Sequence, residues 1–394
     1  MSETRSAESR APAVEGPLVI IGAGPAGLTA AWEQARHGGV ATVLERDAVV
    51  GGIARTVVHS GYRFDIGGHR FFTKVKEVED LWHEVLTEDF IRVPRESRIL
   101  YRGKFFSYPL KPLEAFLGLG PVESLRCFAS YVAARLSPHL PEDDFETWVS
   151  NRFGRRLFEI FFKTYTEKVW GVPCTGISAA WGAQRIKGLS LTRAVAHAVS
   201  RAVGLAPRTA HTSLIERFLY PKFGPGQLWE EVARQVRERG GSIATNRRVE
   251  RIELSGGRVV AVDVRVGDSG AVETMRCDYA ISTMPVKELV ECMDPPAPAD
   301  VREIARRLPY RDFIVVGLIA RKTAIGANGA NGASAGGGTI PPDNWIYIQE
   351  PDVRLGRLQI FNNWSPAMVA AHPKVWLGLE YFCNEGDGLW SMAD

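Results

Sequence analysis

The sequence has few cysteines, no long apolar run and almost no net charge, and each lack excludes a class of protein. The five cysteines include no Cys-x-x-Cys pair, which argues against a structural zinc site or a disulfide scaffold and favours reduced thiols. No apolar run approaches the roughly 18 residues that a membrane span needs. A net charge of +3 over 394 residues gives no support for a nucleic-acid binder, which concentrates basic residues on one face. The histidines show no metal-ligand spacing, and no Ser-His-Asp arrangement is present.

What remains is the composition of an ordinary globular protein. Apolar residues make up 45% of the chain and charged residues 24%, so a core of normal size can form. The length predicts about two to three domains. Residues 1–16 lack the apolar stretch of a signal peptide, and we expect a disordered tail there. These features predict a soluble, cytoplasmic protein without a membrane span.

The segment after the tail has the order of a dinucleotide-binding unit. An apolar run at 18–21 predicts a buried strand, an alanine-rich helix follows, and a second strand ends at Glu45. Between them, Gly22, Gly24 and Gly27 fit the pattern Gly-x-Gly-x-x-Gly. The first glycine permits a tight turn, the second lets a pyrophosphate approach the backbone, and the third lets the helix pack on the strand. Glu45 stands about 20 residues further on, where a carboxylate accepts hydrogen bonds from a ribose.

Two more glycine pairs follow closely, each beside charged residues. Both would allow further close approaches of backbone to a long cofactor, which a nicotinamide dehydrogenase does not need and an extended flavin does. The additional candidates for cofactor binding are Arg46, Gly51, Gly52, Arg55, Gly67 and Gly68.

Helical periodicity dominates the next part of the chain, and strand patterns return after it. Apolar residues recur at three- and four-residue spacing through 75–224, interrupted by a hairpin pattern at 98–110. A helix and turn-separated strands fill 225–290, and further strands are predicted in 291–394. The low-complexity stretch 326–338 reads as a mobile loop. The final segment breaks off at the start of a predicted helix, so we expect it to be incomplete.

The glycine string, Glu45, the second glycine pair and the segment Asp65-Ile66-Gly67-Gly68-His69 resemble the FAD-binding flavoproteins of the amine oxidase and protoporphyrinogen oxidase superfamily. Within that superfamily, Tyr165-Thr166-Glu167-Lys168-Val169-Trp170-Gly171, followed by Arg185-Ile186, resembles the UDP-galactopyranose mutases. The resemblance extends from about residue 17 to the end of the chain.

This resemblance implies FAD as cofactor and specific roles for several residues. It places the backbone of Val249 at the adenine and His69 beside the flavin, where its hydrogen bonding would assist catalysis. Arg185 would clamp a phosphate of the substrate as a second catalytic residue. Tyr165 and Trp170 would stack on the substrate. For Lys168 we expect an ion pair rather than contact with a diphosphate.

The implied fold class is α/β, a Rossmann-like FAD-binding domain with a helical insertion and a mixed-sheet substrate domain. After the tail, the predicted parts are an FAD-binding domain at 17–74 and 225–290, a helical insertion at 75–224, and a substrate-side mixed sheet at 291–394.

The implied function is pyranose/furanose ring isomerisation of a nucleotide sugar through reduced flavin, with a reductant to supply the electrons. Two alternatives stay open: an FAD-dependent oxidoreductase of the amine oxidase type, and a non-catalytic nucleotide-binding protein. One departure matters, because Leu189 occupies the position at which mutases carry a second, diphosphate-binding arginine. UDP-galactose itself is therefore not implied. The oligomeric state also stays open, with a homo-oligomer as one alternative.

Overall fold

The computed structural model describes residues 13–186, 216–321, 340–371 and 374–392. The chain divides into two compact units, each built from two stretches of sequence. Unit 1 comprises Met1–Ile91 and Leu219–Pro309, and unit 2 comprises Arg92–Phe218 and Tyr310–Asp394. Most of the predicted tail and all of the low-complexity stretch 326–338 lie outside the described residues.

Unit 1 is organised around a four-stranded parallel sheet. Its strands, in spatial order, are Tyr279–Ser282, Leu18–Ile21, Ala41–Leu44 and Ser242–Ala244. Strand Leu18–Ile21 is buried along its whole length, as expected for a parallel strand covered on both faces. The helices of this layer are Pro25–Arg36, Lys76–Val85 and Gly226–Glu238. The predicted strand, glycine turn, helix and strand are thus all present.

A second sheet of unit 1 carries the strands predicted in its later sequence. Its order is Ala271–Arg276, Arg258–Val266, Arg247–Ser255 and Met293–Asp294. Smaller elements are the hairpin Thr56–His59 with Tyr62–Asp65, and the helices Val286–Glu291 and Ala299–Arg306. Val249 lies in a core cluster with Val19 and Leu44, so this sheet packs against the parallel one.

The boundaries of unit 1 lie elsewhere than the sequence patterns suggested. Residues 75–91, 219–224 and 291–309, which the sequence assigns to the insertion or to the later sheet, all lie in unit 1. Helix Lys76–Val85 belongs there because Val85 packs into the same core cluster as Leu228 and Val232 of helix Gly226–Glu238. Hydrophobic contact overrides sequence proximity here.

Unit 2 contains a six-stranded mixed sheet. Its order is Asp312–Arg321, Lys374–Cys383, Arg357–Ile360, Trp345–Ile348, Ser97–Tyr101 and Lys104–Ser107. One neighbouring pair, Trp345–Ile348 with Ser97–Tyr101, is parallel, and the others are antiparallel. The predicted hairpin is confirmed at the sheet edge. Arg102 and Gly103 both have positive φ there, as a two-residue hairpin turn requires.

The helices in the described part of unit 2 follow one another closely in the sequence. They are Pro112–Leu119, Pro121–Leu136, Phe145–Phe153, Arg155–Phe158, the π-helical turn Glu159–Lys163, Thr164–Trp170 and Ala179–Arg185. Single 3-10 turns occur at Gly52–Ala54, Cys174–Gly176, Gly267–Ser269, Phe361–Asn363 and Pro366–Met368. Two further strands, Phe90–Pro94 and Arg217–Pro221, contain the boundaries between the units. Within the described residues, none of the helices combines the length and apolarity needed to cross a bilayer.

Candidate functional site

A cavity of about 440 Å³ opens in unit 1, beyond the carboxyl ends of its parallel strands. This is the end of an open α/β sheet at which ligands bind. The cavity is lined by seven of the residues that the sequence assigns to a cofactor: Gly22, Gly24, Glu45, Arg46, Gly52, Arg55 and Val249. The other four, Gly27, Gly51, Gly67 and Gly68, lie outside this lining. Seven of the eleven residues predicted to bind the cofactor thus border one cavity.

The three glycines of the first turn meet three different requirements. Gly22 has a φ of +101°, and a Cβ there would lie 2.3 Å from Oγ1 of Thr283. A Cβ on Gly27 would lie 1.9 Å from the Gly22 carbonyl oxygen, so this glycine lets helix Pro25–Arg36 pack on the turn. Gly24 is different, because its backbone is extended and a Cβ would meet only the Cα of Gly52, at 3.8 Å. Its missing side chain keeps the cavity wall bare.

The second glycine pair packs directly against the first turn. The Gly51 amide donates to the Ala23 carbonyl at 2.8 Å. Both Gly51 and Gly52 have positive φ, and a Cβ on Gly52 would lie 3.1 Å from the Cα of Gly24. Among the described side chains none caps helix Pro25–Arg36, so the amides of its first turn can bind an anion. Two bare stretches of backbone thus border one space.

Glu45 directly follows strand Ala41–Leu44. The residue is buried, with 7% of its surface exposed. Its Oε2 accepts a hydrogen bond from the Ala23 amide at 2.7 Å, and its Oε1 accepts one from the Asp47 amide at 2.9 Å. These bonds fix the carboxylate at the cavity wall. Each oxygen still has a lone pair that could accept from a ribose hydroxyl, while the negative charge would repel a ribose 2′-phosphate.

Four arginines line the cavity, two of which the sequence analysis did not single out. Arg55 pairs with Asp47 at 2.6 Å, and Arg46 lies 3.5 Å from a carboxylate oxygen of Glu288. Arg247 and Arg248 complete the set from the strand that also carries Val249. The signal for them was their position immediately before Val249. Such a cluster of cations favours a ligand that carries phosphates.

The segment that contains His69 is anchored by the buried carboxyl group of Asp65. Asp65 is fully buried and accepts hydrogen bonds from the hydroxyl of Tyr220 and from Oγ1 of Thr56, the latter at 3.3 Å. Burial and the Asp65 charge raise the pKa of Tyr220 well above its ordinary value. Ile66 lines the cavity, whereas the partly buried His69 does not. Sequence reasoning missed the Asp65–Tyr220 bond, which joins residues far apart in the chain.

The predicted substrate residues belong to unit 2. Tyr165 lies in helix Thr164–Trp170, with its ring 4.9 Å from that of Tyr347 and its amide bonded to Oε1 of Gln349 at 3.0 Å. Burial raises the pKa of its phenol above the ordinary value. Trp170, at 40% exposure, instead packs edge-on against Trp181 at 5.3 Å. Tyr165 therefore belongs to an aromatic cluster on the mixed sheet, and Trp170 lies at the surface.

Two other predicted features lie beyond what the structure describes. Arg185 ends helix Ala179–Arg185, but its side chain is outside the described part, and so is Leu189. No group of three or more His, Cys, Asp or Glu able to hold a metal ion occurs among the residues that are described.

Among the residues that the structure describes, Lys168 has backbone carbonyls as partners rather than the carboxylate that we expected from the sequence. Its Nζ donates to three backbone carbonyls, those of Ile348 at 3.0 Å, Glu350 at 2.8 Å and Leu355 at 3.2 Å. Burial lowers the pKa of this amine to about 8. Lys168 thus fastens the loop after strand Trp345–Ile348 to helix Thr164–Trp170.

We expect Lys168→Met to destabilise the protein by about 1.5–3 kcal/mol, because three carbonyls lose a charged donor. The difference in stability between the wild type and Lys168→Met should also grow as pH rises from 8 to 10.5, since the folded amine loses its proton near pH 8 and the unfolded one only near 10.5. Urea unfolding at several pH values measures both effects. Lys76→Met, at an exposed site, is the control. An unchanged unfolding midpoint in Lys168→Met would contradict the anchoring role.

Comparison with known proteins adds a family match. The family described as flavin containing amine oxidoreductase matches residues 25–349. The match begins at the helix after the glycine turn and reaches the aromatic cluster of unit 2.

Solved structures with the same fold cover almost the whole chain. Reduced UDP-galactopyranose mutase matches with a TM-score of 0.76 and 22% identity, over 94% of this chain and 75% of that one. A protein from Exiguobacterium sp. 255-15 described as a protoporphyrinogen oxidase gives 0.67 and 18%, over 97% and 80%. Wild-type putrescine oxidase bound to putrescine gives 0.57 and 14%, over 97% and 79%. At these identities the likeness shows the fold.

Proposed function

The chain belongs to the flavin containing amine oxidoreductase family, and from that premise we propose that it isomerises the sugar ring of a nucleotide sugar, as a relative of UDP-galactopyranose mutase. That it is an FAD-dependent enzyme follows from the family. The choice of substrate and reaction is the proposal. It includes a small-molecule reductant or partner that keeps the flavin reduced, and a cytoplasmic location, in line with five free thiols.

The cavity in unit 1 suits the adenosine diphosphate part of FAD. The bare backbone of the two glycine turns and the uncapped helix N-terminus would receive the diphosphate. Glu45 would hold the adenosine ribose, Val249 would border the adenine, and the cavity arginines would balance the phosphate charge. The fit rests on two features. The glycines leave room for the diphosphate, and the arginines carry the charge opposite to that of the phosphates.

The observation that carries the choice of reaction is the fold likeness to reduced UDP-galactopyranose mutase. Its TM-score of 0.76 exceeds the 0.67 and 0.57 of the two oxidases reported above. The segment Tyr165–Gly171, which resembles a mutase motif, lies at the aromatic cluster of Tyr165, Tyr108 and Tyr347. Aromatic faces of this kind stack on sugar rings and bases.

In this proposal the side chains of the protein position the substrate, and the cofactor supplies the bond chemistry. Bound, reduced FAD supplies a nucleophile for the anomeric carbon of the sugar. Tyr165 is protonated at neutral pH, as any phenol with an ordinary or raised pKa is, so its hydroxyl can donate to a substrate oxygen. His69 and Arg185 keep the roles that the resemblance implies, hydrogen bonding beside the flavin and clamping of a phosphate. Trp170 would contact the substrate from the surface.

An FAD-dependent amine oxidase is the second candidate, and the family match over residues 25–349 favours it. The two reactions differ in electron balance. Isomerisation needs reduced flavin and consumes no oxygen, whereas oxidation of an amine passes two electrons to the flavin and then to oxygen, giving peroxide.

The deciding experiment uses purified protein reconstituted with FAD. We expect dithionite-reduced protein to convert one member of a panel of nucleotide sugars between pyranose and furanose forms, detected by chromatography of the products. The oxidised protein should be inactive toward the same sugar. Bleaching of the oxidised flavin by an amine, with peroxide formed in air, would establish the second candidate instead. A protein that binds FAD but reacts with neither class contradicts both.

A further inference from the structure

The helical segment 155–170 of unit 2 contains one turn that is wound more loosely than the rest. Its parts are helix Arg155–Phe158, the π-helical turn Glu159–Lys163 and helix Thr164–Trp170. A π turn holds about one residue more than an α turn. The residues after it are therefore rotated by about 100° from the positions that an uninterrupted α-helix would give them. Such turns are rare and frequently occur at functional sites.

The side chain of Gln349 enters the hydrogen-bond ladder of this segment. Its Oε1 accepts from the Tyr165 amide at 3.0 Å, and its Nε2 donates to the Phe161 carbonyl at 2.6 Å. In an uninterrupted α-helix these two backbone groups would bond to each other, because they are four residues apart. A side chain inserted into the ladder is a known cause of irregular helix geometry. Gln349 therefore takes the place of one helical hydrogen bond.

A side-chain amide suits this position closely. The backbone N–H of Tyr165 can only donate and the carbonyl of Phe161 can only accept, so their common partner must offer both an acceptor and a donor. These two partners also determine which end of the Gln349 amide is the oxygen. Gln349 is 2% exposed, and a buried backbone group left without a partner is costly.

The strand that precedes Gln349 also carries an aromatic partner of Tyr165. Gln349 directly follows strand Trp345–Ile348, and its own amide donates to the Leu100 carbonyl at 2.9 Å. Tyr347 lies two residues earlier, so its side chain and that of Gln349 lie on the same face of the sheet. The ring of Tyr347 is 4.9 Å from that of Tyr165. The end of this strand thus holds both the helix and the ring against which Tyr165 packs.

The packing of the π turn decides which part would move if the Gln349 amide were removed. Ile160 and Phe161 are buried in a core cluster with Phe106, and the rings of Phe161 and Phe106 lie 5.1 Å apart. This packing fixes the Phe161 carbonyl. Without Gln349 the Tyr165 amide can satisfy its hydrogen bond by donating to that carbonyl. The helix from Tyr165 onward would then rotate.

We propose that Gln349 is a positioning residue, whose amide keeps the helix open between Phe161 and Tyr165 and so sets the position of the Tyr165 ring in the aromatic cluster. The placement of Tyr165 does not depend on the reaction. Its consequence for catalysis rests on the proposed function, in which the Tyr165 hydroxyl donates to a substrate oxygen. A substitution at Gln349 then affects the substrate only through Tyr165.

The first test is fluorine NMR of the FAD-reconstituted protein labelled with fluorotyrosine. The resonance that is missing from Tyr165→Phe identifies Tyr165. This resonance should move in Gln349→Met and in Gln349→Leu, which replace the amide by apolar groups of similar volume.

The matched control is Gln34→Met in unit 1. Gln34 is also buried, and its amide also bridges a backbone N–H and a carbonyl, those of Val14, at 3.1 Å and 2.8 Å. This variant loses the same kind of hydrogen bonds far from Tyr165 in the sequence and in another unit. It should leave the Tyr165 resonance in place.

The second test is kinetic and uses the sugar that the wild type converts. Gln349→Met should lower kcat by about 100-fold, the loss that a displacement of about 1 Å can cause, and Tyr165→Phe should lower kcat as well. The double variant should be no slower than the slower single variant, because both substitutions remove the same contact. Additive losses would mean that Gln349 acts through another group, which contradicts the positioning role.

The remaining outcomes also decide the question. A Tyr165 resonance that stays unchanged in a folded Gln349 variant overturns the proposal, and so does an equal change in Gln34→Met. Loss of folding in both Gln349 variants, judged by thermal unfolding, would make Gln349 a structural residue and overturn the proposal too. If the wild type converts no sugar, the proposed function fails, while the fluorine resonance still decides the role of Gln349.

Discussion

Replacing Gly24 by valine should leave the apoprotein folded and remove its ability to retain FAD. The backbone of Gly24 is extended, with a φ of −78°, and its Cβ would meet only one atom of the protein. The new side chain would therefore fit the chain but project where a diphosphate must rest against bare backbone. Loss of this approach should weaken FAD binding at least 100-fold, or about 2.7 kcal/mol.

The measurement is the ratio of flavin to protein absorbance after reconstitution, together with the dissociation constant of FAD from titration of the apoprotein. Gly24→Ala should give an intermediate loss. Gly388→Val is the matched control, since a Cβ at this exposed glycine meets nothing, and it should bind FAD like the wild type. If Gly24→Val retains yellow colour at the wild-type ratio, the diphosphate does not lie at this turn.

A second glycine separates failure of binding from failure of folding. A Cβ on Gly27 would overlap the Gly22 carbonyl at 1.9 Å, so Gly27→Ala must displace either the turn or the helix. We expect this variant to lose thermal stability as an apoprotein, whereas Gly24→Val should not. The same pattern of glycines thus contains one residue needed for the ligand and another needed for the fold.

The cofactor half of the molecule could be predicted from sequence because its signals are local. The strand at 18–21, the glycine turn and Glu45 lie close together in the chain, and each has its own physical reason to be where it is. The cavity arginines show the limit of this reasoning. Arg247 and Arg248 are more than 200 residues from the turn. The parallel pairing of Ala41–Leu44 with Ser242–Ala244, and the bond from the Arg247 amide to the Glu45 carbonyl at 2.7 Å, bring them to the cavity.

The organisation of the rest depends on contacts that local patterns do not contain. The sequence predicts a helical segment and a later mixed sheet that together form the substrate side, without the strand pairing between them. In the structure, the hairpin strand Ser97–Tyr101 pairs with Trp345–Ile348 in one sheet, so the two segments share a unit. Likewise, Lys168 has a charge that suggests an ion pair, but its partners are carbonyls about 180 residues away. The residue type alone does not distinguish a lysine in an ion pair from a lysine that donates to backbone carbonyls.

The aromatic cluster of unit 2 rests on a buried charge pair, and breaking that pair should have the largest effect on stability. Glu380, with no exposed surface, lies opposite Arg357 on the neighbouring strand and accepts from it at 2.7 Å and 2.6 Å. Its other oxygen accepts from Gln359. Burial alone would lower the pKa of Arg357, but the Glu380 charge holds it above the ordinary value. The arginine therefore stays charged whether or not a ligand is near.

We expect Glu380→Gln to destabilise the protein by about 3 kcal/mol, because it leaves the Arg357 charge buried without its partner. The double variant Arg357→Met/Glu380→Leu should recover at least half of that loss, since replacing both charges by apolar groups removes the cost of burying them. Urea unfolding of the wild type, the single variants Arg357→Met and Glu380→Leu, and the double variant gives the coupling energy from a double-mutant cycle.

The matched control is the pair Arg265–Glu250, which also joins adjacent strands with bonds of 2.6 Å and 2.7 Å but remains 43% and 29% exposed. Water already solvates these charges, so Glu250→Gln should cost less than about 1 kcal/mol. The two pairs have the same chemistry and nearly the same geometry, and they differ in burial. If Glu380→Gln costs as little as Glu250→Gln, water reaches Glu380, and the aromatic cluster does not lie on a dehydrated charge pair.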